Sequence, residues 1–180
     1  MKGMVFTEFV EMVENQFSPE MADQIIVAAN LPSGGIYTSV GTYHHGEMIA
    51  LVELLSEKTD IPSADLIEAF GTHLFGRFFE QHPAFFEGMH CTFDFLSQIE
   101  EHVHQEVRKL YPDAELPTFE TNRPDADTLE MTYRSRRPFA DLALGLIRGC
   151  AGHYDENLAI EQVDLSEDGR THVRFTLRRQ

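Results

Sequence analysis

Three side chains that can bind oxygen anions recur at two-residue steps in the stretch MTYRSRRP: Tyr133, Ser135 and Arg137. Read as a strand from Leu129 to Pro138, alternate residues point to opposite faces. Leu129, Met131, Tyr133, Ser135 and Arg137 then share one face, and Thr128, Glu130, Thr132, Arg134 and Arg136 the other. The first face begins apolar and ends in two hydroxyls and a planar guanidinium fork. Such an array suits an anion, carboxylates above all, held at the rim of an apolar cavity. The plainer reading is a strand end dipping into solvent, with Arg134 and Arg136 solvating an edge.

The charge balance sharpens that choice. The 180 residues carry a formal net charge of −16, with only 14 Lys and Arg. A chain this acidic lacks the basic footprint that nucleic acid needs, and an anionic membrane surface would repel it. An acidic protein that binds an anion must gather its few bases locally, as Arg134, Arg136 and Arg137 are gathered.

The second candidate chemistry lies in EEHVHQE, which carries His102 and His104 among Glu100, Glu101 and Glu106. At ~100° per residue, Leu96, Ile99, Val103, Val107 and Leu110 form a buried stripe. His104 falls beside it and His102 on the opposite flank. Periodicity alone promotes neither to a ligand. Glu101 and His104 have the i, i+3 spacing of a carboxylate–histidine metal site, but such sites need a second Glu-x-x-His on a facing helix, and none is present. A non-heme metalloenzyme using Glu101 and His104 is therefore a weak alternative. A nucleophile elbow, a P-loop and a dinucleotide glycine fingerprint are missing, so hydrolysis and phosphoryl transfer lack their usual machinery. The remaining histidines, including His73 in the apolar stretch GTHLFGRFF, read as packing or surface residues. A ligand with a large apolar body, two carboxylates and an iron needing an axial histidine would use both candidate groups at once. Heme is such a ligand.

These groups need elements to position them. MVFTEFVEMVENQF sets Val5, Phe9, Val10, Val13 and Phe17 at helical spacing, and PEMADQIIVAANL, GEMIALVELLSEKT and PSADLIEAFGTHLFGRFFEQH read as further helices. In the last, Leu66, Phe70, Leu74 and Phe78 stack at four-residue steps. CTFDFLSQIEEHVHQEVRKLYP reads as one long helix ended by Pro112. The second half alternates like strands in TFETNRPDADTLEMTYRS, then has a helix in PFADLALGLIRGCAGHYD. It closes on a hairpin about Glu167, Asp168 and Gly169. Helices followed by an antiparallel sheet with one inserted helix make an α+β fold. No run approaches the ~18 apolar residues of a membrane span, and the acids near the start do not suit a signal peptide. Cys91 and Cys150 are far apart and form no CxxC pair, which suits a reducing cytoplasm.

Across these segments the chain resembles the H-NOX family, the heme–nitric oxide/oxygen binding domains related to the heme domain of soluble guanylate cyclase. MKGMVFTEFVEMVE, GGIYTSVGTYHHGEMIALVELLSEKTDIP, AFGTHLFGRF, HVHQEVRKLYPDAELP, MTYRSRRP and LALGLIRG carry the likeness in order. The resemblance implies that Tyr133, Ser135 and Arg137 grip the propionates of heme b. The family's axial histidine stands seven residues before the tyrosine of YP, which selects His104 before Tyr111 and leaves His102 as a flanking residue. Pro117 matches a family proline that presses on the porphyrin. Val5, Phe9, Leu74, Phe78, Leu142 and Leu146 are expected to form the distal pocket. Leu142 stands where oxygen-binding members have a tyrosine, and the cysteine-rich site of some bacterial members is absent.

The implied architecture is a single domain over 1–180. A helical lobe occupies about 1–60, the heme-enclosing helices and a lobe with a four-stranded antiparallel sheet occupy about 61–180, and heme lies between them. The implied function is a cytoplasmic sensor rather than an enzyme. It would bind nitric oxide and carbon monoxide at ferrous heme, and nitric oxide would release His104. With no output domain on the chain, the signal is expected to pass to a separate histidine kinase or cyclic-di-nucleotide enzyme. A heme-free adaptor is the remaining alternative, made improbable by the intact motif.

Overall fold

The helical half begins with α1 (Gly3–Gln16), α2 (Pro19–Ala29), α3 (His45–Thr59) and α4 (Ser63–Gln81) in a computed structural model that describes residues 1–167 and 169–180. Ser18 caps α2 by accepting a hydrogen bond from the Met21 amide, with Pro19 in the first turn where its missing N–H costs nothing. On α1 the buried face is Phe6, Phe9, Met12 and Val13, while Val5 and Val10 are only half-buried. Phe17, expected in the stripe, is 36% exposed. The i, i+3, i+7 set therefore wins over the i, i+4, i+8 set.

The segment read as one long helix is broken. It consists of α5 (Thr92–Ser97), a π-helical turn at Ile99–Val103 and α6 (His104–Leu110). The His104 amide donates to the Ile99 carbonyl, five residues back. Widening the turn in this way resets every side-chain direction beyond it, and such turns recur at functional sites. A single 100° ruler fails across that break: Leu110, assigned to the buried stripe, is 53% exposed.

The sheet comprises β1 (Thr118–Asn122), β2 (Thr128–Arg134), β3 (Leu158–Asp164) and β4 (His172–Arg179), with α7 (Ala140–His153) between its hairpins. Its order is β1-β2-β4-β3, all antiparallel, confirming the α+β class. Leu129, Met131 and Tyr133 are buried on β2 and alternate with more exposed neighbours, as period two requires. The β3–β4 pairing forms as expected, although Asp168 of its turn lies outside the described residues.

Two buried clusters result among the described residues. One joins α1, α2 and α3 to Leu66, Phe70 and Leu74 of α4 and to Phe139. The other packs Phe75 and α7 against Leu129, Met131, Val173, Phe175 and Leu177 of the sheet. Helix α4 thus contributes to both. It lies unusually close to α7, because a Cβ built on Gly145 would stand 2.0 Å from the Glu68 carbonyl oxygen and 2.8 Å from the Gly71 Cα. The paired glycines let two backbones touch, and Thr72 Oγ1 donates to the Gly145 carbonyl across the contact at 3.1 Å. Among the described residues no helix is long and apolar enough to cross a membrane.

Candidate functional site

A cavity of about 750 Å³ opens between α4, α7, the broken helix and the inner face of β1 and β2. That volume is in the ~300–1,000 Å³ range of cofactor and small-molecule sites. One wall is apolar and is formed by Val5, Leu74, Phe78, Leu142 and Leu146. The close α4–α7 contact sets this wall, since all but Val5 lie on those two helices. Phe9 does not line the cavity. It is fully buried in the helical cluster, edge-on to the Phe70 ring at 5.2 Å. Facing inward to that core excludes it from the pocket, so its expected place in the wall is corrected.

His104, 8% exposed, also lines the cavity. Its Nδ1 lies 2.9 Å from Glu100 Oε1. That same oxygen accepts a hydrogen bond from the Phe119 amide at 2.9 Å. With Nδ1–H given to the carboxylate, Nε2 keeps its lone pair for the cavity. Burial lowers the His104 pKa below the ordinary histidine value, and the Glu100 charge opposes that shift. A neutral imidazole is the form that binds a metal. His102 is half-buried beside Phe85, with rings 6.4 Å apart, and does not line the cavity.

The motif residues meet at the mouth, though not as a strand face. Strand β2 ends at Arg134, and the chain turns at Ser135 and Arg137. Tyr133 Oη donates to the Arg137 carbonyl at 3.1 Å, and Ser135 Oγ accepts from the Arg137 amide at 3.1 Å. Those bonds close the turn and bring all three residues onto the cavity, which Pro117 also lines. Burial raises the Tyr133 pKa, keeping the phenol protonated. The Arg137 guanidinium is not free, because it pairs with the Glu115 carboxylate. Ser135 retains its own hydroxyl proton to donate.

These residues fit heme on their chemistry: the buried His104 imidazole, a largely apolar lining, and donors for carboxylates at the mouth. The non-heme alternative loses its geometry. Glu101 is exposed, the carboxylate at His104 is Glu100, and among the described residues no group of three His, Cys, Asp or Glu could hold a metal ion. His73 lies outside the cavity, with Nε2 3.7 Å from Glu8 on α1. Sequence reasoning missed the role of Glu100. Its i, i+4 spacing to His104 was the available signal.

Residues 2–162 match the family model described as Haem-NO-binding. The chain is 39% identical to the Fe(II) unliganded H-NOX protein from K. algicida, covering 100% of this chain and 97% of that one at a TM-score of 0.94. It is 42% identical to the H-NOX from Shewanella woodyi in the Fe(II)CO ligation state, bound to IWP-051, covering 100% and 95% at a TM-score of 0.84. An H-NOX protein from S. oneidensis in the Fe(II)NO ligation state shares the fold, with 24% identity, 100% and 99% coverage and a TM-score of 0.91. Among curated proteins none matches.

Proposed function

Since the chain belongs to the haem-NO-binding (H-NOX) family of heme-based gas sensors, we propose that it senses nitric oxide at ferrous heme b held by His104 and reports it to a separate protein. The observation that carries this reading is the buried His104 imidazole, paired through Nδ1 with Glu100 and lining the same cavity as Val5, Leu74, Phe78, Leu142 and Leu146. When bound, heme supplies an iron whose open side takes a diatomic gas and whose bond to histidine weakens when that gas is nitric oxide.

The protein's own residues do the rest. His104 would hold the iron through Nε2. Ser135 and Arg137 orient the two carboxylates at the mouth, with Tyr133 closing the turn that presents them. Pro117, directly before β1, lines the cavity and would pack against the bound group. Val5, Leu74, Phe78, Leu142 and Leu146 exclude water and offer the gas no hydrogen bond. Were His104 to let go of a bound heme, the packing of that heme against Pro117 would relax and the helical lobe, about 1–60, would be free to turn against the remainder. A histidine kinase or a cyclic-di-nucleotide enzyme reads that second state. Carbon monoxide also binds, as in the Shewanella woodyi relative. A cytoplasmic setting suits Cys91 and Cys150, which are both unpaired.

Visible absorption of protein expressed with heme supply tests the reading. A strong Soret band that shifts on adding nitric oxide is expected. A folded protein with no such band overturns it.

A further inference from the structure

We infer that Glu100 is the positioning residue of the axial histidine and the link through which movement of His104 reaches the sheet. This rests on the reading of His104 as the heme ligand. One carboxylate oxygen, Oε1, serves two partners, His104 Nδ1 at 2.9 Å and the Phe119 amide at 2.9 Å. Their donors come from different parts of the fold. His104 begins α6 immediately after the π-helical turn, and Glu100 lies within that turn. Phe119 is the second residue of β1, an edge strand, and follows Pro117 by two positions.

Two consequences follow from the shared oxygen. A carboxylate on Nδ1–H fixes the ring's tautomer and orientation and makes Nε2 a stronger donor to a metal. The same carboxylate anchors the start of β1, and therefore the backbone that carries Pro117 toward the cavity. If His104 withdraws while keeping its bond to Oε1, it draws the carboxylate off the Phe119 amide, which then loses its acceptor. The Phe119 ring stands 6.0 Å from His104 and 5.6 Å from Tyr133, so a shift of β1 reaches the mouth as well. Arg108 Nη2, 3.8 Å from the second oxygen and 46% exposed, adds little to this clamp.

The experiment compares wild type, Glu100→Gln and Glu100→Ala as heme-loaded proteins. Three readouts are taken: the iron–histidine stretching frequency by resonance Raman, the heme dissociation rate, and amide hydrogen exchange at Phe119 with and without nitric oxide. The stretch is expected to fall in the Gln variant, which keeps an acceptor without the charge, and to fall further in the Ala variant. The Ala variant should lose heme roughly ten-fold faster or more. Exchange at Phe119 should rise on adding nitric oxide to wild type, and should already be raised in Glu100→Ala without it. A wild type showing no iron–histidine band overturns the axial role of His104, and this inference with it. A wild type with the band, but with both variants unchanged in frequency and in Phe119 exchange, overturns the role of Glu100 alone.

Discussion

The guanidinium of Arg137 is already paired with the carboxylate of Glu115 across the mouth of the cavity. A heme carboxylate arriving there must share or displace that partner. Arg137→Ala removes a charge-assisted fork and should weaken heme retention by about 1–3 kcal/mol. Glu115→Gln removes the competitor and should slow heme loss. Arg134, half-exposed beyond the cavity and 3.8 Å from Glu120, should tolerate alanine with little change. Rates of heme transfer to a scavenger protein check all three. Equal losses from the Arg137 and Arg134 variants would refute the assignment.

On the proposed role of His104 as the axial ligand, His104→Gly should abolish stable heme loading and recover it when imidazole is added. His102→Ala should leave the absorption spectrum unchanged, since that ring packs beside Phe85 outside the cavity. Reversal of the two results would place the ligand within the π-helical turn rather than at the start of α6.

Pro117→Ala should flatten the heme and move the protein toward its signalling state without gas. Resonance Raman modes of out-of-plane distortion measure the first effect. An unchanged distortion pattern would remove Pro117 from the mechanism.

Gas selectivity follows from the apolar wall. Bound oxygen gathers negative charge, and a distal donor stabilises it by about 1.5–3 kcal/mol, roughly one to two decades of affinity. Leu142 and its cavity neighbours Leu74 and Phe78 offer no donor, and His73 sits with Glu8 instead. The ferrous protein should bind nitric oxide and carbon monoxide and form no stable oxygen complex in aerated buffer. The nitric oxide complex should lose its bond to His104. Leu142→Tyr adds a donor without a supporting shell, so any oxygen complex it forms should be weak. Split visible bands of an oxygen complex in the wild type would contradict the apolar wall.

Gly145→Ala drives a methyl to within 2.0 Å of the Glu68 carbonyl oxygen, which is backbone and cannot swing aside. Overpacking of this kind costs about 1–3 kcal/mol. A lower thermal midpoint is expected, along with a cavity whose Leu74 and Leu146 walls have moved apart. Gly152→Ala, on the same helix with open space around it, serves as the control.

Local pattern was enough for much of this protein. The alternation of Leu129, Met131 and Tyr133, the apolar spacing along α4 and α7 and the order of helices before strands were all readable as α+β. The oxygen-anion array of Tyr133, Ser135 and Arg137 was readable too, whereas periodicity favoured neither His102 nor His104 as a ligand and only the family resemblance singled out His104. Tertiary structure decided what depends on partners distant in the chain or on a break in periodicity. Phe9 and Val5 lie one turn apart on α1, yet one faces Phe70 and the other the cavity. The π-helical turn rotates His104 away from where a uniform helix would put it, and no sequence ruler spans that change of pitch. Likewise Ser135 and Arg137 reach the mouth through a turn closed by hydrogen bonds rather than along a strand. Glu100 gains its meaning only when β1 folds back to present the Phe119 amide, nineteen residues on, to an oxygen already holding His104. A hydrogen bond to a backbone amide leaves no mark in residue type, so only the folded chain reveals it.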